Sequence, residues 1–262
     1  MSAFELRPRS PTEIIDAAFV ILRRHYVTMI TMTAVLQLPF VFLNLVFNGG
    51  LSGGPVVSTA AGIGSLLAAL FGMVSMQLSD GAIIHAVSDV YLGREMSASR
   101  SLTHVWHRLW PLIISSIIRG IASFLAALLL FIPGIYVWSR YATVGAVAVL
   151  ENKGGNDTAD RAWKLSEGRA WHCFVALFIA FVIYSALTGL VYYAGYLAGI
   201  VTLNAQQSPL FLIMQQLPPV LFYPIVSVVT TLIYYDLRVR KEAFDLEMMA
   251  SELGAAPTPT SP

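Results

Sequence analysis

Long apolar runs separated by short polar pieces make up most of the chain. Backbone N–H and C=O groups find no partner in hydrocarbon, so a run long enough to cross a membrane must satisfy them internally, as a helix. Six such runs are read, at about 26–47, 57–92, 110–131, 134–150, 171–198 and 210–235. The composition agrees: 56% of the residues are hydrophobic and 12% are charged, where soluble domains carry roughly 25% charged residues. The expected class is an all-α membrane protein with six transmembrane helices in three hairpins. Each hairpin is expected to follow a short cytoplasmic amphipathic elbow helix.

The elbows rest on local signals. Ser10-Pro11-Thr12-Glu13 reads as a helix start, with a capping serine, proline at the first helical position and glutamate three after the cap. Ile14, Ile15, Ala18, Phe19 and Leu22 then share one helical face, and Arg23 and Arg24 close the segment. After the second run, Leu102, Val105, Trp106, Leu109 and Trp110 share a face opposite Arg100, His104, His107 and Arg108, the pattern of a helix lying in the membrane interface. A third amphipathic piece begins near Asn156 and leads into the fifth run, so the three units form a weak internal repeat. Trp106, Trp110, Trp163 and Trp171 are expected at the cytoplasmic interface.

Fourteen arginines and lysines, from Arg7 to Lys241, fall on one side of the six-span arrangement, and the three opposite loops contain none. By the positive-inside rule that side is cytoplasmic, with both termini. The charged residues among the first sixteen speak against a cleaved signal peptide. Residues 1–9 are read as a cytoplasmic tail and 10–247 as the membrane domain. Residues 248–262 are read as the end of a cytoplasmic C-terminal helix and a disordered tail. The glycine-rich loop 48–55, a tight reversal at Ile132-Pro133-Gly134, and a kink or break at Pro218, Pro219 and Pro224 complete the outline.

Charge inside hydrocarbon is costly, so ionisable residues within the runs are the first candidates for function. Asp80, Arg119 and Arg140 lie deepest. At about 1.5 Å per residue they stand roughly 15–18 Å from the cytoplasmic ends, at one depth on consecutive helices. Two readings remain open: a buried ion pair that pins the helices, or a site for an anion or lipid headgroup that uses the surplus positive charge. His85 and Asp89 share one face of the second run, Glu151 ends the fourth, and Asp236 stands at the end of the sixth. Helix C-termini disfavour carboxylates, so neighbouring cations such as Arg161, Arg169 or Arg238 should compensate there. His85 and Asp89 lack the further ligands of a metal site, so no metal and no cofactor are assigned. The single cysteine, Cys173, excludes an internal disulfide framework. A net charge of +1 gives no basis for nucleic-acid binding.

The stretches ATVGAVAVLENKGGNDTADRAWKLSEGRAW and IYYDLRVRKEAFDLE, with VYLGREMSASRSL and RSPTEIIDAAFVILRRHY, resemble signatures of bacterial integral membrane proteins. The family is that of the membrane domain of glycerophosphoryl diester phosphodiesterases, and the resemblance covers nearly the whole chain. It implies a six-helix domain of the bacterial cytoplasmic membrane. It does not imply the phosphodiesterase activity, because the separate soluble barrel that carries that chemistry has no counterpart here. No GxSxG, HExxH, P-loop or GxGxxG motif occurs. The expected function is a non-enzymatic module that binds or moves an anionic lipid or solute. The alternative is a structural partner subunit of a larger membrane complex, suggested by small residues such as Gly195 and Gly199 at GxxxG spacing. Its partners are membrane lipids and, in the alternative, other membrane proteins.

Overall fold

A computed structural model describes residues 7–47, 59–129, 131–151, 153–201 and 209–242. The expected loop 48–55 and the tail 248–262 lie outside these residues. Among the described residues every regular element is helical: α1 (Pro11–Phe47), α2 (Thr59–Tyr91), α3 (Ala98–Trp106), α4 (Leu109–Leu129), α5 (Phe131–Arg140), α6 (Val144–Leu150), α7 (Gly155–Leu165), α8 (Ala170–Leu197) and α9 (Pro209–Glu242). Five of them, α1, α2, α4, α8 and α9, are long and apolar enough to cross a membrane. The all-α class and the multi-pass character follow.

Burial separates these five helices. Half of α2's most apolar window (50%) and two thirds of α9's (67%) are covered by protein, against 11–17% in α1, α4 and α8. Thus α2 and α9 form the centre, and the other three present apolar side chains outward. Phe42, Phe124 and Leu190 are exposed in this way. A contiguous apolar surface of that extent is what lipid covers. Short α6 belongs to the centre as well, since Val144 through Val149 are all buried.

The run 134–150, expected as one helix, is broken. Helix α5 ends at Arg140, residues 141–143 form a turn, and α6 begins at Val144. The reversal expected at residues 132–134 does not fall there, since α5 already begins at Phe131. Pro133 and Gly134 instead stand in the first turn of α5, where proline's missing donor costs nothing. The prolines of α9 do not break it: Pro218, Pro219 and Pro224 are carried within one continuous helix. Pro219 leaves the Gln215 carbonyl without its intrahelical donor, and the Tyr192 hydroxyl donates to it at 3.4 Å.

The amphipathic pieces take a definite form. The N-terminal part of α1 is set off by a kink at His25, whose φ of −122° and ψ of 16° leave the helical region. It buries Ile14, Ile15, Ala18, Ile21 and Leu22, while Phe19, read from the sequence as part of that face, is 44% exposed. Its cap is the expected one, with Ser10 N–H donating to the Glu13 carboxylate at 2.7 Å and Glu13 N–H to Ser10 Oγ at 3.3 Å. Helix α3 stops at Trp106, short of the expected Trp110, and turns at residues 107–108 into α4. Helix α7 buries Thr158, Ala159, Ala162 and Leu165. Trp106, Trp110 and Trp171 are exposed, but Trp163 is half-buried beneath Arg140.

Candidate functional site

Tyr223, Ser227, Thr230, Thr231 and Tyr234 recur on α9 at spacings of three and four, a polar stripe along an otherwise apolar helix. In the structure Ser227 reaches Asp80 of α2, Tyr223 and Thr230 line the same cavity, and Tyr234 stands apart, bonded to Glu151. The Ser227 hydroxyl donates to Asp80 Oδ1 at 2.5 Å, a short hydrogen bond between two central helices. Gly145 of α6 lets the chain pass close by, because a Cβ there would stand 3.3 Å from Asp80 Oδ2.

Asp80 opens on a cavity of 210 Å³ whose wall also holds Arg119 of α4, Trp138 of α5, Phe181 of α8 and Tyr223 and Thr230 of α9. Asp80 and Arg119 feel each other's charge but form no ion pair within 4.0 Å. Among the described residues Arg119 has no hydrogen-bond partner at all. Two opposite charges therefore face one small cavity without neutralising each other directly. That arrangement can hold a small charged group, because each half-buried charge offers it a partner.

Arg140 does not belong to this cluster. Buried to 5% exposure, it turns toward α7. There it donates from Nε to Ser166 Oγ (3.0 Å), from Nη1 to the Tyr136 hydroxyl (2.9 Å) and from Nη2 to the Trp163 carbonyl (2.6 Å). Its guanidinium carbon lies 4.0 Å from the centre of the Trp163 ring, a cation–π contact. Ser166 in turn donates to the Arg140 carbonyl at 2.7 Å. A cation at the C-termini of α5 and α7 meets the negative ends of both helix dipoles, and this is how Arg140 does without a carboxylate. The expected three-charge cluster is thus a two-charge cavity and a separate clasp, and the clasp is what interrupts the fourth run.

No family model, curated protein or solved structure matches this chain.

The other expected polar residues gather at one end of the bundle, where each carboxylate is gripped by basic groups. Asp89, 2% exposed, lies 3.2 Å from Arg94 Nε, 3.5 Å from Arg100 Nη1 and 3.7 Å from His85 Nδ1. His85 also shares a hydrogen bond with Ser101 Oγ (3.1 Å) and stacks on His104 at 4.2 Å. His104 was read from the sequence as part of an outward face. It points inward, with Nε2 3.0 Å from the Val149 carbonyl. Glu151 accepts from Arg161 Nε (2.8 Å) and the Tyr234 hydroxyl (3.1 Å), with Lys153 Nζ at 3.3 Å. Burial raises the Glu151 carboxyl, but the bonds from Arg161, Lys153 and Tyr234 outweigh it and hold the group below its ordinary value. Asp236 accepts from the Arg9 backbone N–H (2.6 Å) and Arg240 Nε (2.8 Å), and His172 Nε2 stands 3.0 Å away.

Sequence reasoning found Asp80 and Arg119 but missed Ser227, Tyr223 and Gly145. The polar stripe on α9 was the available signal for the first two. Gly145 could not be found, because nothing local marks it as the point where α6 passes Asp80.

Proposed function

We propose that the chain is a non-enzymatic six-span module of the bacterial cytoplasmic membrane that binds an anionic group at Arg119, and that it is similar in kind to the membrane domain of glycerophosphoryl diester phosphodiesterases. In this reading α5 and α6 together make the fourth crossing. The segment of α1 before His25, α3 and α7 are the elbow helices, and both termini are cytoplasmic with the basic residues. One observation carries the binding role: Arg119 faces a cavity with no hydrogen-bond or ion-pair partner among the described residues, within an apolar stretch where such a guanidinium is expensive.

Thermal unfolding of the delipidated protein in an uncharged detergent tests it. A ligand that binds only the folded state stabilises by about 2.7 kcal/mol at a hundred times its Kd. A phosphate-bearing lipid should therefore raise the melting temperature of the wild type and leave Arg119→Gln unmoved. Equal shifts in both would refute the anion site.

The alternative, a structural partner subunit, drew on the small-residue face of α8. Gly195 on that face is filled from within: a Cβ there would collide with Met214 of α9 and meet Val201 at 3.0 Å. Gly199, at a φ of +72° that glycine adopts without strain, closes the helix end. The partner reading keeps its other support, the lack of catalytic motifs.

A further inference from the structure

The 210 Å³ cavity is too small for a whole lipid and does not end at its own walls. Trp138 and Phe181 line it, and the same two residues line an apolar groove of 390 Å³ between α5 and α8 that continues past Phe178, Val182 and Ser185. The outer wall of this groove, Phe178 at 53% and Val182 at 50% exposure, lies on a face that lipid covers. A polar cavity with an apolar annex matches an amphiphile, whose polar part and chain need different surroundings. The charges narrow the class further. A simple anion would satisfy Arg119 and be repelled by Asp80, whereas a group carrying one charge of each sign satisfies both.

We infer that the site takes a zwitterionic amino-phospholipid from the side, with its phosphate on Arg119, its primary ammonium on Asp80 and one acyl chain along the groove between Trp138 and Phe181. This rests on the anion site proposed above and narrows the anion to the phosphate of a lipid that also carries an amine. Asp80 can accept from a primary ammonium, whereas a quaternary ammonium has no N–H to give it. Ser227 holds the carboxylate in position through its other oxygen.

The test uses the full chain in nanodiscs of phosphatidylcholine containing equal parts of phosphatidylethanolamine and phosphatidylglycerol, with retained lipids counted by native mass spectrometry. The wild type should retain phosphatidylethanolamine about tenfold over phosphatidylglycerol. Asp80→Asn, which keeps the side-chain shape, should bring that ratio to about one, and Arg119→Gln should lose both lipids. Val182→Trp, which fills the exposed groove, should lose the lipid yet still bind soluble glycerophosphoethanolamine. Equal retention of the two lipids by the wild type would overturn the amine assignment and leave the anion site standing. Glycerophosphoethanolamine competing as well as the lipid, with Val182→Trp silent, would overturn lateral entry and put a soluble zwitterion in the cavity. Unchanged retention in Arg119→Gln would overturn the anion site itself. The wild-type ratio decides the amine assignment even if a variant fails to fold.

Discussion

Two arginines of similar expected depth have opposite fates, and their partners explain why. Arg140 spends three donors on α5 and α7 and lies flat on Trp163, so its loss should be felt in stability. Arg140→Lys keeps the charge but not the planar fork, and should cost about 1–2 kcal/mol; Arg140→Leu should cost about 2–4 kcal/mol by stranding buried partners. Arg119→Gln strands no hydrogen-bond donor or acceptor among the described residues but removes a charge that Asp80 feels, and should change stability by less than about 1 kcal/mol without ligand. Chemical unfolding of the three variants in one detergent checks this. A larger loss at Arg119 than at Arg140 would reverse the assignment. Both arginines were visible in the sequence as costly charges, but their partners were not. Spacing along the chain gives depth and face, whereas Ser166 and the Trp163 carbonyl reach Arg140 only through the tertiary placement of α7, which packs on α4 and α6.

At the level of elements, the carboxylates at the charged end fasten helices that would otherwise meet only through apolar contact. Glu151, just past α6, joins α7 through Arg161 and α9 through Tyr234, and Arg161 also pairs with Glu242 near the end of α9. Because the folded protein holds the Glu151 carboxyl below its ordinary 4.5, its contribution is complete above about pH 4.5. It is lost as pH falls through the lower folded-state value. Its partners Lys153 and Arg161 reach solvent, so screening limits the effect to about 1–2 kcal/mol. Glu151→Gln should lower the melting temperature at pH 7 and flatten the melting curve's dependence on pH below 4.5. An unchanged acid dependence would show that the bonds to Arg161 and Tyr234 contribute nothing. Helix existence was legible throughout, because apolar runs of this length admit little else. The break at residues 141–143 was not, since YATVGAVAVL continues the apolar run without a proline or a capping signal.

Across the whole molecule the three units close on one another. Asp89 of α2 is held by Arg100 of α3, Glu151 after α6 by Arg161 of α7, and Asp236 of α9 by the backbone N–H of Arg9 just before α1. The carboxylates near the ends of α2 and α6 thus grip the amphipathic helix that follows, and the one near the end of α9 grips the chain just before α1. The weak sequence repeat is therefore a ring of three clasps, and its uneven spacing hid the cyclic order. On the proposed topology, cysteines at Gly53 and Gln206 should react with an impermeant thiol reagent from outside intact cells, while one at Gly154 should not. Labelling at Gly154 would invert the arrangement.

The cavity between Asp80 and Arg119 is the centre of this account, and an experimental density map of the protein in lipid nanodiscs tests it most directly. A headgroup-sized density within hydrogen-bond reach of the Arg119 guanidinium, with a chain leading out past Trp138 and Phe181, is the expected result. An Arg119 side chain closed directly onto Asp80, with no density between them, would show a structural ion pair and contradict the binding site.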